Sequence, residues 1–320
     1  MSLSSSCALP TEPRSSRPSS RSGSDGTSVA ALLRQARDLL RRAGLDSPEG
    51  DAERLLLHVL RCQRADLYAT PERCLDRRQR QQFARVLARR LAREPLQHIL
   101  GEVDFMGLTL SVSPAVLVPR PETETLVERA VEFCRQTFPA GSLLRCLDVG
   151  TGCGNIAAAL ATFLPDSEVV AVDCSRAALA VAQANLRRLR LGQRVRLVHA
   201  DLRQPDFIRK AGRAFSLVIA NLPYVPTASL QALAPEVKDH EPLLALDGGP
   251  DGLDLYRRLI PLLAHLLSAG GAFFAEIGEG QGREMMRLLA QAGLVDIALL
   301  PDLAGKERVV IARKGREEAQ

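Results

Sequence analysis

Apolar residues recur at three- and four-residue steps from Val29 to about Leu91. Ala31, Leu32, Leu39 and Leu40 form one set, and Ala52, Leu55, Leu56, Val59 and Leu60 the next. That period places each set on one face of a helix. Asp46 and Ser47 before Pro48 mark a helix start, Thr70-Pro71-Glu72 interrupts the pattern, and Asp76 opens a further helix through Phe83, Val86, Leu87 and Leu91. A helical domain over 28–97 is therefore expected. The pattern then changes to alternation around Gly107, in Val103-Asp-Phe105-Met-Gly107-Leu108-Thr-Leu110-Ser-Val112, which predicts a β-hairpin linker over 98–118.

Pro121, with Glu122 and Glu124 behind it, reads as the start of a helix reaching about Phe138. Beyond Gly141 strand and helix periods alternate. Strands are expected at 145–149, 169–172, 195–198, 217–220 and 272–277, with two more near 295–300 and 308–312. Helices are expected at 155–163, 176–189, 253–267 and 282–292, and an irregular stretch at 222–252. Such alternation predicts an α/β fold over 119–320, a doubly wound, mainly parallel sheet covered on both faces. Residues 1–27, rich in Ser, Pro, Arg and Gly, lack any apolar period and read as a disordered tail. An organelle transit peptide is the alternative, but Pro10, Glu12, Pro13 and Asp25 spoil an amphipathic helix.

Composition bounds the picture. The chain has 320 residues, 46% of them hydrophobic, enough for about two domains. It has no Trp and 4% aromatics, so its core must be aliphatic. No apolar run approaches the ~20 residues that span a bilayer. A net charge of +5 permits an anionic partner without demanding one. The Arg runs at 77–80 and 89–90 read as a solvated helix face rather than an RNA contact, because no aromatics are interleaved with them. Seven cysteines, an odd number without C-x-x-C spacing, exclude a zinc or disulfide framework and suggest a reducing, cytoplasmic setting.

Three strand ends carry candidate chemistry. After the first sheet strand comes Asp148-Val-Gly150-Thr151-Gly152-Cys153-Gly154-Asn155, which opens a helix. Glycines there let backbone approach a ligand, and the helix N-terminus offers N–H groups to an anionic group. Asp173 ends the next strand, where a carboxylate can accept from ribose hydroxyls. Asp201 and Leu202 follow the third, an acid and an apolar side chain suited to flank an adenine. Gly152-Cys-Gly154-Asn-Ile-Ala157 also fits a dinucleotide fingerprint, a weak pattern alone. Acids ending the first three strands favour a different adenosine ligand, S-adenosyl-L-methionine. The fourth candidate is Asn221-Leu222-Pro223-Tyr224, at the end of an apolar run that Pro223 cannot continue. An amide oxygen, a backbone carbonyl and an aromatic ring form a clamp for a planar group bearing an NH2. Accepting both N–H groups aligns the nitrogen with a methyl donor. Arg120, held between two prolines, reads as a clamp or an ion-pair anchor.

These residues resemble the release-factor glutamine methyltransferases, the HemK/PrmC family. The resemblance covers nearly everything after the tail. Its most selective parts are Pro119-Arg120-Pro121-Glu122-Thr123-Glu124 and the block Glu241-Pro242-Leu-Leu-Ala-Leu246-Asp247-Gly248-Gly249-Pro-Asp251-Gly252-Leu253; Asp302-Leu-Ala-Gly305-Lys306-Glu307-Arg308 also matches. It implies a class I S-adenosylmethionine-dependent methyltransferase that methylates N5 of the glutamine in the Gly-Gly-Gln loop of peptide-chain release factors. By that pattern Gly150, Thr151, Gly152, Cys153, Gly154, Asp173, Asp201, Leu202 and Asn221 line the cofactor. Asn221, Leu222, Pro223 and Tyr224 bind the glutamine with Arg120, and the helical domain helps hold the factor. A monomer without stable nucleic-acid or membrane binding, and without a metal, is expected. Leu222 stands where the family has proline, which predicts a looser turn with retained activity. Asn-Leu-Pro-Tyr also resembles the motif of rRNA adenine dimethyltransferases, so an N6-adenine methyltransferase acting on rRNA or DNA is the alternative, and a catalytically silent RNA- or ribosome-binding module is a third.

Overall fold

The helical region is built from five amphipathic segments: α1 (Val29–Arg42), α2 (Pro48–Leu60), α3 (Arg64–Ala69), α4 (Arg77–Leu91) and α5 (Leu96–Leu100). Their apolar faces meet in one aliphatic cluster including Leu33, Leu40, Leu55, Leu56 and Phe83. Asp76 starts α4 with a capping box, its carboxylate accepting from Gln79 N (2.8 Å) while Gln79 Oε1 accepts from Asp76 N (3.1 Å). This computed structural model describes residues 28–302 and 304–315. The tail over 1–27, with Cys7, and Leu303 of the Asp302–Arg308 segment lie outside the described residues. α5 crosses the domain boundary expected after residue 97, its backbone carried on from Pro95 to Gly101.

The hairpin follows as β1 (Glu102–Phe105) and β2 (Leu108–Ser111), paired antiparallel. Next come α6 (Pro121–Thr137), β3 (Leu144–Val149), α7 (Asn155–Phe163), β4 (Ser167–Asp173), α8 (Arg176–Arg188), β5 (Val195–His199), α9 (Phe207–Ala211) and β6 (Phe215–Ala220). Past the irregular stretch, which holds α10 (Pro235–Lys238), lie α11 (Asp254–Leu259), α12 (Leu263–Leu266), β7 (Leu267–Glu276), α13 (Gly282–Gln291), β8 (Val295–Pro301) and β9 (Glu307–Arg313). The helix expected over 253–267 is broken because Pro261 has no N–H to continue the ladder, and a 3-10 turn at Ile260–Leu262 separates α11 from α12.

The seven-stranded sheet has the order β5-β4-β3-β6-β7-β9-β8. Strands β3 to β7 are parallel, and β9 pairs antiparallel with both β7 and β8. Alternate residues serve opposite faces. Cys146, Val169, Leu217 and Ile219 join the core beneath α6, α7 and α8. Leu147, Val170, Val218 and Ala220 join the core formed with α11, α12 and α13. Burial on both faces explains why the strands read as near-continuous apolar runs. The chain steps from β3 outward to β4 and β5, then returns to place β6 on the other side of β3. A crevice opens at that switch, outside the carboxyl ends of β3 and β6.

Two contacts fix other parts of the chain around this crevice. Asn185 on α8 accepts from Ser111 N (2.7 Å) and donates to the carbonyls of Ser111 and Cys153 (2.9 Å each), joining hairpin to glycine loop. Arg90 of α4 bonds Asp51 (2.7 Å) and, across the domain boundary, Glu236 of α10 (3.2 Å), which also pairs with Arg93 (2.8 Å). Arg90 is buried, so the solvated face expected for this pair does not hold there, whereas the half-exposed Arg89 pairs with Glu94. Arg77 and Arg78 are exposed, as expected.

Candidate active site

Val149 and Ala220 are register partners, so the residues that follow them, Gly150 and Asn221, emerge side by side. Gly150 has φ 80°, and a Cβ there would lie 3.1 Å from Leu222 Cδ2. Only glycine lets the first loop pack against the second in this conformation. Gly150 N and Thr151 N both donate to the Val172 carbonyl (2.9 and 3.0 Å), folding the loop back over β4. Gly154 caps α7 in the left-handed conformation.

Three acids stand around this loop in different environments. Asp148 is fully buried; its Oδ2 accepts from Thr151 Oγ1 (2.6 Å) and Ala157 N (3.2 Å), while Oδ1 has no partner. Burial pushes its carboxyl up to about 7, against the pull of those two bonds. Asp173 Oδ2 accepts from Gly152 N (2.9 Å) and Oδ1 from Ser175 N (2.8 Å); burial raises its carboxyl, and these bonds oppose the rise. Each oxygen keeps a lone pair for a ligand. Asp201 is engaged side-on by Arg203 (2.9 and 2.7 Å), which holds its carboxyl below the usual range.

The glycine loop and the Asn221 turn line two adjoining cavities. One is bordered by Arg120, Thr123, Thr151, Gly152, Cys153 and Asn221, the other by Asp201, Leu202, Leu222, Asp247 and Gly248. Gly150, Asp173, Pro223 and Leu244 border both, so they form one continuous crevice. Of the cofactor- and substrate-binding residues expected from the sequence, all but Gly154 and Tyr224 line it.

A buried carboxylate missed in the sequence holds the clamp together. Glu276, at the end of β7, is 1% exposed. Its Oε2 accepts from Thr123 Oγ1 (2.7 Å) and Asn221 Nδ2 (3.0 Å), and its Oε1 from the Tyr224 hydroxyl (3.0 Å). Asn221 Nδ2 also donates to Thr123 Oγ1 (3.0 Å). The Asn221 NH2 is thereby turned into the network and its Oδ1 away from it. Among the described residues no donor is bonded to Asn221 Oδ1 or to the Leu222 carbonyl. Burial raises the Glu276 carboxyl, opposed by the Thr123 and Tyr224 bonds; burial, with the Glu276 charge beside it, likewise raises the Tyr224 phenol. Glu276 ends an apolar strand as Asp173 does, and that pattern was its available signal.

The turn after Asn221 is braced from two sides. Val225 N donates to the Leu246 carbonyl (3.0 Å) and Gly248 N to the Val225 carbonyl (2.9 Å), so the Asp-Gly-Gly block pairs with the chain leaving Tyr224. Gln281, also missed, donates to the carbonyls of Tyr224 (2.9 Å) and Asp251 (3.0 Å). A Cβ at Gly252 would collide with the Tyr224 carbonyl, which explains the glycine there. Leu222 is buried against Gly150 and its N–H reaches the Tyr256 hydroxyl (3.2 Å), a bond proline could not make. The loosening expected from Leu222 is thus met by a hydrogen bond. Arg120 Nη2 lies 2.8 Å from both oxygens of buried Glu241. Of its two expected roles, the structure displays the ion-pair anchor, with the guanidinium still bordering the crevice.

No group of three His, Cys, Asp or Glu among the described residues could hold a metal ion, and no helix among them is long and apolar enough to cross a membrane. A human METTL16 catalytic domain, solved with an RNA hairpin, superposes with a TM-score of 0.52 over 73% of this chain and 84% of that chain, at 16% identity, and shares the fold. Residues 31–101 match the family profile described as the PrmC N-terminal domain, and residues 146–240 that of a methyltransferase domain. Proteins named release factor glutamine methyltransferase are similar along most of the chain. One from Geobacter sulfurreducens is 39% identical over 90% of this chain and 97% of its own. That from Moorella thermoacetica is 42% identical over 87% and 95%, and that from Bradyrhizobium diazoefficiens 41% over 90% and 96%. On this evidence the chain is an enzyme and belongs to the release factor glutamine methyltransferase family.

Proposed function

We propose that this enzyme transfers a methyl group from S-adenosyl-L-methionine to N5 of the glutamine side chain in the Gly-Gly-Gln motif of peptide-chain release factors. The observation that carries the reading is the buried Glu276–Thr123–Asn221–Tyr224 network. It commits the Asn221 NH2 inward and leaves Asn221 Oδ1 as an acceptor beside the glycine loop. An acceptor fixed in that sense favours a guest that offers N–H groups, as a primary amide does. The names of the relatives supply the substrate.

The residues present fit the cofactor. The close approach at Gly150 leaves backbone, not side chains, facing the crevice, and Asp173 ends β4 with a spare lone pair on each oxygen. Gly150 to Cys153 would border its amino-acid part, Asp173 its ribose, and Asp201 with Leu202 its adenine. When bound, it supplies an electrophilic methyl group on a sulfonium, so no metal is required. The protein's task is orientation. An amide nitrogen is a poor nucleophile because its lone pair is delocalised. Asn221 Oδ1 and the Leu222 carbonyl would accept hydrogen bonds from its two hydrogens and the Tyr224 ring would flank the planar group. As the N–C bond forms, the methyl–sulfur bond would break to leave a neutral thioether and the nitrogen would release one of those hydrogens as a proton to solvent. Holding reactants this way is worth about 7–11 kcal/mol of barrier in favourable cases. Arg120 and the helical domain would contact the release factor.

The test presents release factor and ribosomal RNA side by side with labelled cofactor. Label in the protein alone is expected. Label in RNA adenine alone would move the assignment to the N6-adenine alternative, and absence of cofactor binding would favour a silent binding module.

A further inference from the structure

Tyr256 stands one layer behind the clamp on α11, fully buried. Its hydroxyl accepts from Leu222 N–H (3.2 Å) and donates to the Glu276 carbonyl (2.5 Å), with the Ala220 carbonyl at 3.5 Å. One oxygen thus joins the end of β6, the turn that follows, and the end of β7. Those are the segments that carry Asn221 and the carboxylate holding it. The N–H of Leu222 belongs to the Asn221–Leu222 peptide plane. Fixing that plane restrains rotation about the Leu222 N–Cα bond and about the Asn221 Cα–C bond. A proline ring at 222 would restrain the first covalently. Here the restraint comes from a side chain 34 positions away in sequence.

We propose that Tyr256 is a positioning residue for the substrate clamp: its hydroxyl locks the Asn221–Leu222 peptide and with it the Asn221 backbone and Leu222 φ, which, with Leu222 ψ confined by Pro223, aims the Leu222 carbonyl and the Asn221 amide at the substrate nitrogen. The proposal rests on the assignment of the clamp made above. It differs from ordinary core packing in requiring the hydroxyl rather than the ring, and only while residue 222 has an N–H to be satisfied.

The test uses the full chain as wild type, Tyr256→Phe, Leu222→Pro and the double variant. In Tyr256→Phe, the Leu222 amide should exchange with solvent about 10-fold faster or more, as a buried donor without its acceptor, while Val218 and Ile219 in β6 change little. Turnover on release factor should fall about 10-fold, since a small misplacement of a reacting group is costly, with cofactor affinity within about twofold. In the Leu222→Pro background the same Tyr256→Phe change should lower turnover by less than about twofold, because no N–H is left unpaired. Unchanged Leu222 exchange in Tyr256→Phe would overturn the proposal, as would an equal loss of turnover in both backgrounds. Should the proline variant fail to fold, the exchange measurement decides alone. If the wild-type protein does not methylate release factor, the substrate reading fails, and the exchange result still tests the lock.

Discussion

Replacing Glu276 by Met keeps the length of the side chain and removes the carboxylate that three donors share. Thr123 Oγ1 (2.7 Å), Asn221 Nδ2 (3.0 Å) and the Tyr224 hydroxyl (3.0 Å) each lose a partner. Asn221 keeps one bond, to Thr123. Each buried donor left unsatisfied costs about 1–3 kcal/mol, but removing a buried carboxylate also relieves its desolvation. The net change in stability should be about 1–3 kcal/mol, a fall of roughly 2–4 °C in Tm per kcal/mol. The effect on catalysis should be larger. With the carboxylate gone the Asn221 amide is free to turn its NH2 towards the crevice, replacing an acceptor by a donor. Loss of one preorganised polar group in an active site costs about 100- to 1,000-fold in kcat. Glu276→Gln keeps one carbonyl oxygen for Thr123 and Asn221, so about 10-fold is expected there. Steady-state methylation of release factor gives kcat, and calorimetry gives cofactor affinity, which should stay within about threefold because Glu276 borders neither cofactor wall. Near-normal kcat in Glu276→Met, or a loss confined to cofactor affinity, would refute the reasoning.

Further outcomes follow from the same geometry. Asn221→Ala should cut kcat strongly while cofactor affinity, measured by titration calorimetry, is nearly retained. Asp173→Ala should reverse that split, because it removes the acceptor at the end of β4; loss of stability alone in both variants would contradict the division of roles. Asp148 contributes a pH dependence of stability. Its folded pKa, about 7, lies above the ordinary 3.8, so the fold favours the protonated acid. That contribution is complete below about pH 4 and is lost as pH rises through 7, for at most roughly 4 kcal/mol. The Tm of Asp148→Asn relative to wild type should therefore climb between those limits and level off above them; a difference independent of pH would show that Asp148 does not titrate there.

The sequence carried the sheet because its strands, buried on both faces, are short apolar runs separated by amphipathic helices. It carried the loop ends of the site because glycines and acids at strand ends are local signals. The glycine loop, Asp173 and the Asn221 turn were all legible, and the structure brings them onto one crevice. What was not legible depends on contacts between distant segments. Thr123 and Glu276 are 153 positions apart, and neither resembles a site residue until the strand order places β7 beside β6 and the start of α6 beneath both. Arg90 looked like part of a solvated basic run because its partner Glu236 is 146 positions away. The bond that steadies Leu222 was hidden for the same reason: its acceptor, the Tyr256 hydroxyl, lies 34 positions away in sequence.

The central claim is that the acceptor held by Glu276 receives a glutamine amide. Its most direct test is tandem mass spectrometry of release factor after incubation with the enzyme and S-adenosyl-L-methionine. A single methyl group on the glutamine side chain of the Gly-Gly-Gln motif is expected, and none when that glutamine is replaced by alanine. Methylation that persists after the replacement, or that falls on another residue, would contradict the account.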